Sequence, residues 1–170
     1  MIYEPREDSF LIEKYVKKYA KGKVLDMGTG SGILAKAAKG ADVLAVDINP
    51  EAVEKAKEEG IAAVLSDLFS NVKGKFDLIV FNPPYLPEDP NEPEDSKLAT
   101  TGGKQGHELI GRFLKEAKYF LNKNGKILLL TSSLTGDSEA IFRKHNYTYQ
   151  LLEKNKLFFE ELYVYILTHL

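Results

Sequence analysis

The sequence predicts an α/β fold: one doubly wound, mostly parallel sheet of about seven strands, closed by an antiparallel C-terminal hairpin. Three observations carry this. Short apolar runs alternate with stretches of helical periodicity along the chain. A glycine-rich segment, Gly28-Thr29-Gly30-Ser31-Gly32, sits where a strand hands over to a helix. The closing segments, Thr148 to Leu152 and Glu161 to Thr168, read as neighbouring strands with no helix between them. Strands alternating with helices need crossovers, which put helices on both faces of a parallel sheet. No repeat or linker interrupts the 170 residues, so residues 1–170 are expected to form a single domain.

Taken in order, Asp8 or Ser9 is placed to cap a helix whose apolar face is Phe10, Leu11, Tyr15, Val16 and Tyr19. Lys23 to Met27 is a short buried strand, Gly28 to Gly32 a turn, and Ile33 to Lys39 a helix. Asp42 to Asp47 is the second strand; Asn49-Pro50 then supplies the cap and first turn of a helix ending near Gly60. Ile61 to Leu65 and Phe76 to Phe81 are the third and fourth strands. A loop rich in proline and acid runs from Asn82 to about Gln105, a length that accompanies function or disorder in a small domain. A helix from about Gly106 to Leu121, a strand from Lys126 to Thr131 and a short helix capped by Asp137 lead into the hairpin. Ligands of such sheets bind beyond the carboxyl ends of the strands. Asp26, Asp47, Asp67 and Asn82 all fall at or just after strand ends, so four polar groups are expected around one crevice.

Composition narrows the class. Apolar residues make up 44% and charged residues 28%, a soluble balance, and no apolar run is long enough to span a bilayer. Residues 1–8 lack the basic start and apolar core of a signal peptide, so a cytoplasmic location is expected. The absence of cysteine excludes disulfides, thiol nucleophiles and cysteine-ligated zinc. His107, His145 and His169 have no ligand spacing, so no metal site is expected. A net charge of −2 lacks the basic surplus of a chain that grips nucleic acid unaided.

In the glycine loop the third glycine falls at Gly32, with Ile33 where the dinucleotide G-x-G-x-x-G pattern needs a glycine. The G-x-G-x-G spacing resembles motif I of Rossmann-like methyltransferases instead, which counts against a nicotinamide-dependent oxidoreductase. Asp26 beside the loop would repel a pyrophosphate but suits the ammonium of a methionine moiety. Asp47, about 20 residues on, can accept both hydroxyls of a ribose. Asp67-Leu68 follows the third strand; in methyltransferases this acidic position meets an adenine amino group and the next backbone N–H reaches the ring.

Asn82-Pro83-Pro84-Tyr85 follows the fourth strand and is the sharpest signal in the chain. An amide nitrogen is a poor nucleophile because its lone pair is delocalised into the carbonyl. To take a methyl group it must move from planar toward tetrahedral. Two acceptors aimed at its two N–H bonds favour that change: the Asn82 side-chain oxygen and the Pro83 carbonyl, on a backbone stiffened by Pro83 and Pro84. The Tyr85 ring can pack on the flat face of the target group. A non-catalytic scaffold would have no need of this intact motif.

These segments together resemble the HemK-type protein glutamine methyltransferases, and more closely the short archaeal and eukaryotic branch that lacks an extra N-terminal helical domain. The resemblance rests on Tyr3 to Phe10, on Asp26 to Gly32 with Asp47 to Pro50, and on Phe81 to Tyr85 with Gly102 to Gly106. It implies a Rossmann-like class I methyltransferase fold and S-adenosylmethionine as cofactor. It implies cofactor contacts at Ser9, Asp26, Gly28, Gly30, Asp47, Asp67, Leu68 and Asn82, and a turn at Gly102-Gly103 beside the active site. It also implies the Gly-Gly-Gln loop of a peptide release factor as substrate, and a small zinc-binding activator protein as heterodimer partner.

Relatives with the same motif act on lysine or on adenine and guanine amino groups in tRNA or DNA, so these stay open. Glu88, Asp89, Glu92, Glu94 and Asp95 make the loop from Pro87 to Asp95 acidic, which would repel a phosphate backbone and attract a basic protein surface. A lysine ammonium must first lose a proton, for which Asn82 does nothing. Protein glutamine is therefore the expected acceptor. In the usual strand order of this fold, Ile61 to Leu65 lies at a sheet edge without charge, proline or bulge, and the activator is expected to dock there.

Overall fold

Alternation along the strands decides how the chain packs, as a computed structural model describing residues 1–85 and 89–170 shows. Pro87 and Glu88 of the acidic loop lie outside the described residues, as does the side chain of Asp95. The elements run α1 (Glu7–Tyr19), β1 (Lys23–Met27), α2 (Ile33–Ala37), β2 (Asp42–Asp47), α3 (Pro50–Glu58), β3 (Ala62–Leu65), β4 (Phe76–Phe81) and α4 (Glu94–Thr100). They continue α5 (Glu108–Ala117), β5 (Leu121–Ser132), α6 (Ser138–Lys144), β6 (Tyr147–Lys156) and β7 (Glu161–His169). The strands make one sheet in the order β3-β2-β1-β4-β5-β7-β6. Pairing is parallel from β3 through β5, while β7 is antiparallel to both β5 and β6. This is the mostly parallel, seven-stranded architecture that the sequence predicts.

Successive strand residues feed opposite cores. Leu25, Ile79, Phe81, Ile127 and Leu129 join Ile110, Phe113 and Leu114 of α5 and Phe142 of α6 on one face. Val24, Leu78, Val80, Leu128 and Leu130 join Ile12 and Val16 of α1 and Leu34 of α2 on the other. Both faces being covered, the central strands read as continuous apolar runs rather than alternating ones.

Four details differ from expectation. Helix α1 starts earlier, with Arg6 at the N-cap and Asp8 and Ser9 inside the first turn; Ser9 still caps from there, its hydroxyl accepting the Arg6 N–H at 3.4 Å. Phe10, expected on the apolar face, is 55% exposed, and Ile12 takes the buried position instead. The long loop contains α4, which has no apolar periodicity; the Glu92 carboxylate holds it by accepting from the hydroxyls of Ser96, Thr100 and Thr101. Strand β5 begins at Leu121, five residues early, because the polar run Asn122 to Lys126 carries a register shift and a left-handed Asn124 that mask the strand. The cap assignments Asn49 (to the Glu51 N–H, 3.0 Å) and Asp137 (to the Ala140 N–H, 3.0 Å) hold. Among the described residues, no helix is long and apolar enough to cross a membrane.

Candidate active site

At the carboxyl ends of β1, β2 and β4 the chain leaves the sheet in tight turns, and a cavity of about 800 Å³ opens above them. That volume suits a cofactor together with an inserted side chain. Ser9, Gly28, Gly30, Asp47, Asp67, Leu68, Asn82, Pro83, Pro84 and Tyr85 all line it. The residues singled out from sequence are thus brought together, with one exception. Asp26 is buried beneath the glycine loop and is not part of the lining.

The glycine loop takes its path from backbone conformations that residues with a Cβ rarely adopt: φ is +67° at Gly28, +52° at Gly30 and +83° at Gly32. Asp47 fastens it, its two carboxylate oxygens accepting the Gly30 and Asn49 N–H groups, each at 2.9 Å. Beneath the loop, Asp26 accepts from the Thr29 hydroxyl at 2.7 Å, and its other oxygen is buried without a partner. Burial pushes the Asp26 carboxyl up to about 7, with the nearby Asp47 charge adding and the Thr29 hydrogen bond opposing.

This shift makes a pH prediction. The folded state holds the Asp26 proton more tightly than the unfolded chain does, so ionising it opposes folding. The penalty is absent below about pH 4, grows as pH rises, and is complete above about 7. Asp26→Asn removes it. The variant's melting temperature should therefore exceed the wild type's by more at pH 8 than at pH 5. The free-energy gap is on the order of a few kcal/mol. A gap independent of pH would show that Asp26 is not perturbed.

Asn82 is oriented by a residue that the spacing of motifs missed. The Asp8 carboxylate, itself buried, accepts from the Tyr3 hydroxyl at 3.0 Å, the Ser9 N–H at 2.7 Å and the Asn82 side-chain N–H at 3.4 Å. A carboxylate only accepts, so the amide NH₂ of Asn82 must face Asp8. That leaves the Asn82 Oδ1 buried with no partner. The available signal was an acidic residue where an apolar helix face should have been. Tyr85 beside it is a neutral phenol, its titration pushed far up by burial and by the charges of Asp8 and Glu160. Two further lining residues escaped the sequence. Arg112 pairs with the Asp67 carboxylate at 3.2 Å from 45 positions away, and Leu98 comes from the unforeseen α4.

A buried acceptor without a donor costs free energy unless a ligand completes it. The orphaned Asn82 Oδ1, in the cavity lining beside the glycine cradle, fits a ligand that brings an N–H group. The methyltransferase small domain family matches residues 8–159, nearly the whole of this arrangement.

The chain belongs to that family.

Within it, this methyltransferase is 44% identical over 96% of its length to a Methanocaldococcus jannaschii protein provisionally named protein N5-glutamine methyltransferase, covering 89% of that protein. It is 32% identical to methyltransferase HEMK2 of Mus musculus, covering 84% of this chain and 76% of that one. Among solved structures, the complex of Mtq2 with Trm112 from E. cuniculi, described as responsible for methylation of the eRF1 termination factor, superposes with a TM-score of 0.81. That match has 26% identity and covers 99% of this chain and 98% of the other. The chain is thus a methyltransferase of the HemK type.

Proposed function

We propose that this methyltransferase methylates the side-chain amide nitrogen of a protein glutamine, in the Gly-Gly-Gln loop of a peptide release factor. The observation that carries the proposal is the buried, unpartnered Oδ1 of Asn82, held in place through Asp8. The amide of an entering glutamine offers the N–H that this oxygen lacks, and the Pro83 carbonyl takes the second N–H. Tyr85 packs on the amide plane. These contacts strengthen as the nitrogen becomes tetrahedral, so they favour the transition state over the ground state. Bound S-adenosylmethionine supplies an electrophilic methyl group on a sulfonium that leaves as a thioether. The methylated, cationic nitrogen is acidic enough to lose its proton to water, and no side chain need act as base.

Asp47 would accept the ribose hydroxyls, Asp67 and Leu68 would meet the adenine, and Gly28 and Gly30 would let the backbone approach. Ser9 lines the same cavity. Asp26, beneath the loop, would act on the ammonium only through Thr29, whose hydroxyl it accepts at 2.7 Å. The relatives named for glutamine methylation support the choice of acceptor. The test is a labelled-methyl assay of the enzyme, with and without a small activator protein, against release factor, tRNA and DNA. Incorporation into release factor at the glutamine is expected; labelling of nucleic acid alone would overturn the reading.

The partner reading follows from β3, which ends the sheet with Leu65 47% exposed. A small zinc-binding activator pairing with this edge, Ile61 to Leu65, would cover it, as the complex of the E. cuniculi relative encourages. Val64 packs against the core, so a charge at Leu65 is the cleaner probe. Leu65→Lys should fold normally and lose co-purification with the activator; a folded variant that still binds fully would exclude this edge.

A further inference from the structure

The turn between β6 and β7 carries two phenylalanines that the fold does not use. Phe158 is 91% exposed and Phe159 85%, with their rings edge to face at 4.6 Å. Hairpin turns ordinarily take glycine, asparagine or aspartate, because the turn needs positive φ or a side chain that hydrogen-bonds the local backbone. Neither phenylalanine has a positive φ, so backbone geometry does not demand these residues. Two adjacent aromatic rings in water forfeit the burial that normally justifies them.

The base of this turn is fixed. The Leu157 N–H donates to the Glu160 carbonyl at 2.8 Å, and the Glu161 N–H donates to the Ser133 hydroxyl at 3.0 Å. The Glu160 carboxylate accepts from the Ser132 hydroxyl. Leu157 and Glu160, the residues on either side of the pair, both line the catalytic cavity. Each phenylalanine is therefore one residue, roughly 4 Å of backbone, from the cavity wall. An apolar contact so placed touches whatever protein delivers its side chain into the cavity. Held on an ordered turn, it does so with little ordering cost. Lys154 and Lys156 before the pair balance Glu160 and Glu161 after it, and Lys154 is paired with Glu161 at 3.3 Å, so the turn lacks the basic surplus that draws a chain to an anionic lipid surface.

We propose that Phe158 and Phe159 form a docking knob for the folded methyl-accepting protein, seated in an apolar depression beside its glutamine loop. The proposal rests on the protein-amide reading of the site. The knob sets affinity for the whole protein and takes no part in the methyl transfer.

The test compares wild type with a Phe158→Ser/Phe159→Ser double variant, each with the activator present. Steady-state constants are measured for folded release factor and for an unstructured peptide bearing its Gly-Gly-Gln loop. The variant should show a KM for the folded protein raised roughly tenfold or more, as for loss of an aromatic hot spot. Its kcat, its KM for the peptide and its cofactor affinity should stay unchanged. An unaltered KM for the folded protein would overturn the knob alone, and so would an equal loss on the peptide, which would place the pair inside the active site's architecture. Failure of the wild type itself to methylate release factor would overturn the substrate reading and the knob with it. Sedimentation showing a wild-type dimer that the variant lacks, or flotation with phosphatidylcholine–phosphatidylserine vesicles that the variant loses, would reassign the pair to self-association or to lipid.

Discussion

Asn82→Ala should lower turnover by roughly 100-fold or more, by analogy with the loss of one positioned donor from an oxyanion hole. The variant should still fold. Asp8 keeps the Tyr3 hydroxyl and the Ser9 N–H as donors, so no buried charge is stranded. Removing Asn82 also deletes an oxygen that has no partner in the protein alone, a small gain that offsets the lost packing. The effect belongs in kcat rather than in cofactor affinity, because the acceptor acts on a nitrogen changing shape. Single-turnover rates on the methyl-accepting protein, with calorimetry for the cofactor and a thermal melt, separate these. Near-normal turnover with a folded variant would remove Asn82 from the mechanism.

The second large effect lies outside the motif. A Cβ at Gly102 would come 2.6 Å from the Pro84 carbonyl oxygen and 2.4 Å from the Gly106 carbonyl oxygen. Both are backbone atoms, so neither can yield by a change of rotamer. Gly102→Ala must push Pro84 aside, and Pro83 moves with it. A displacement of about 1 Å at a positioning group can cost on the order of 100-fold in rate. Gly40→Ala is the control. Its φ of +94° is also unfavourable to alanine, yet a Cβ there meets nothing within 4 Å. That variant should lose some stability and keep its rate constants. Equal kinetics for the two variants would show that Gly102 does not hold the Asn82 to Tyr85 segment in place.

These two residues mark what the sequence makes legible. Asn82, Asp47 and the glycine turn announce themselves because their chemistry depends on local order: a strand, a turn and a side chain fixed within a few positions. The parallel sheet is legible for the same reason, since period and punctuation are local. Asp8 is harder, because its value lies in reaching Asn82 across 74 positions. Arg112 and Asp67 meet for tertiary reasons alone. Helix α4 stays hidden because hydroxyls gathered on Glu92, rather than an apolar stripe, hold it. The resemblance puts a turn at Gly102 beside the active site, but its close approach to the Pro84 carbonyl is legible only once its neighbours are known.

The division of the core by the sheet bears on how such a protein can change over generations. Side chains of β1, β4 and β5 alternate between two clusters, one under α5 and α6 and one under α1 and α2. Substitutions on opposite faces share few partners, and separated sites contribute to stability nearly independently. A lineage can therefore repack one face while the other stays intact, crossing sequence space in half-steps that never need simultaneous compensation. The cleft at the strand ends is the exception. Residues from both sides of the sheet converge there, Met27 and Phe81 from one cluster and Leu34 and Leu162 from the other, so a change at that rim is felt in both layers at once.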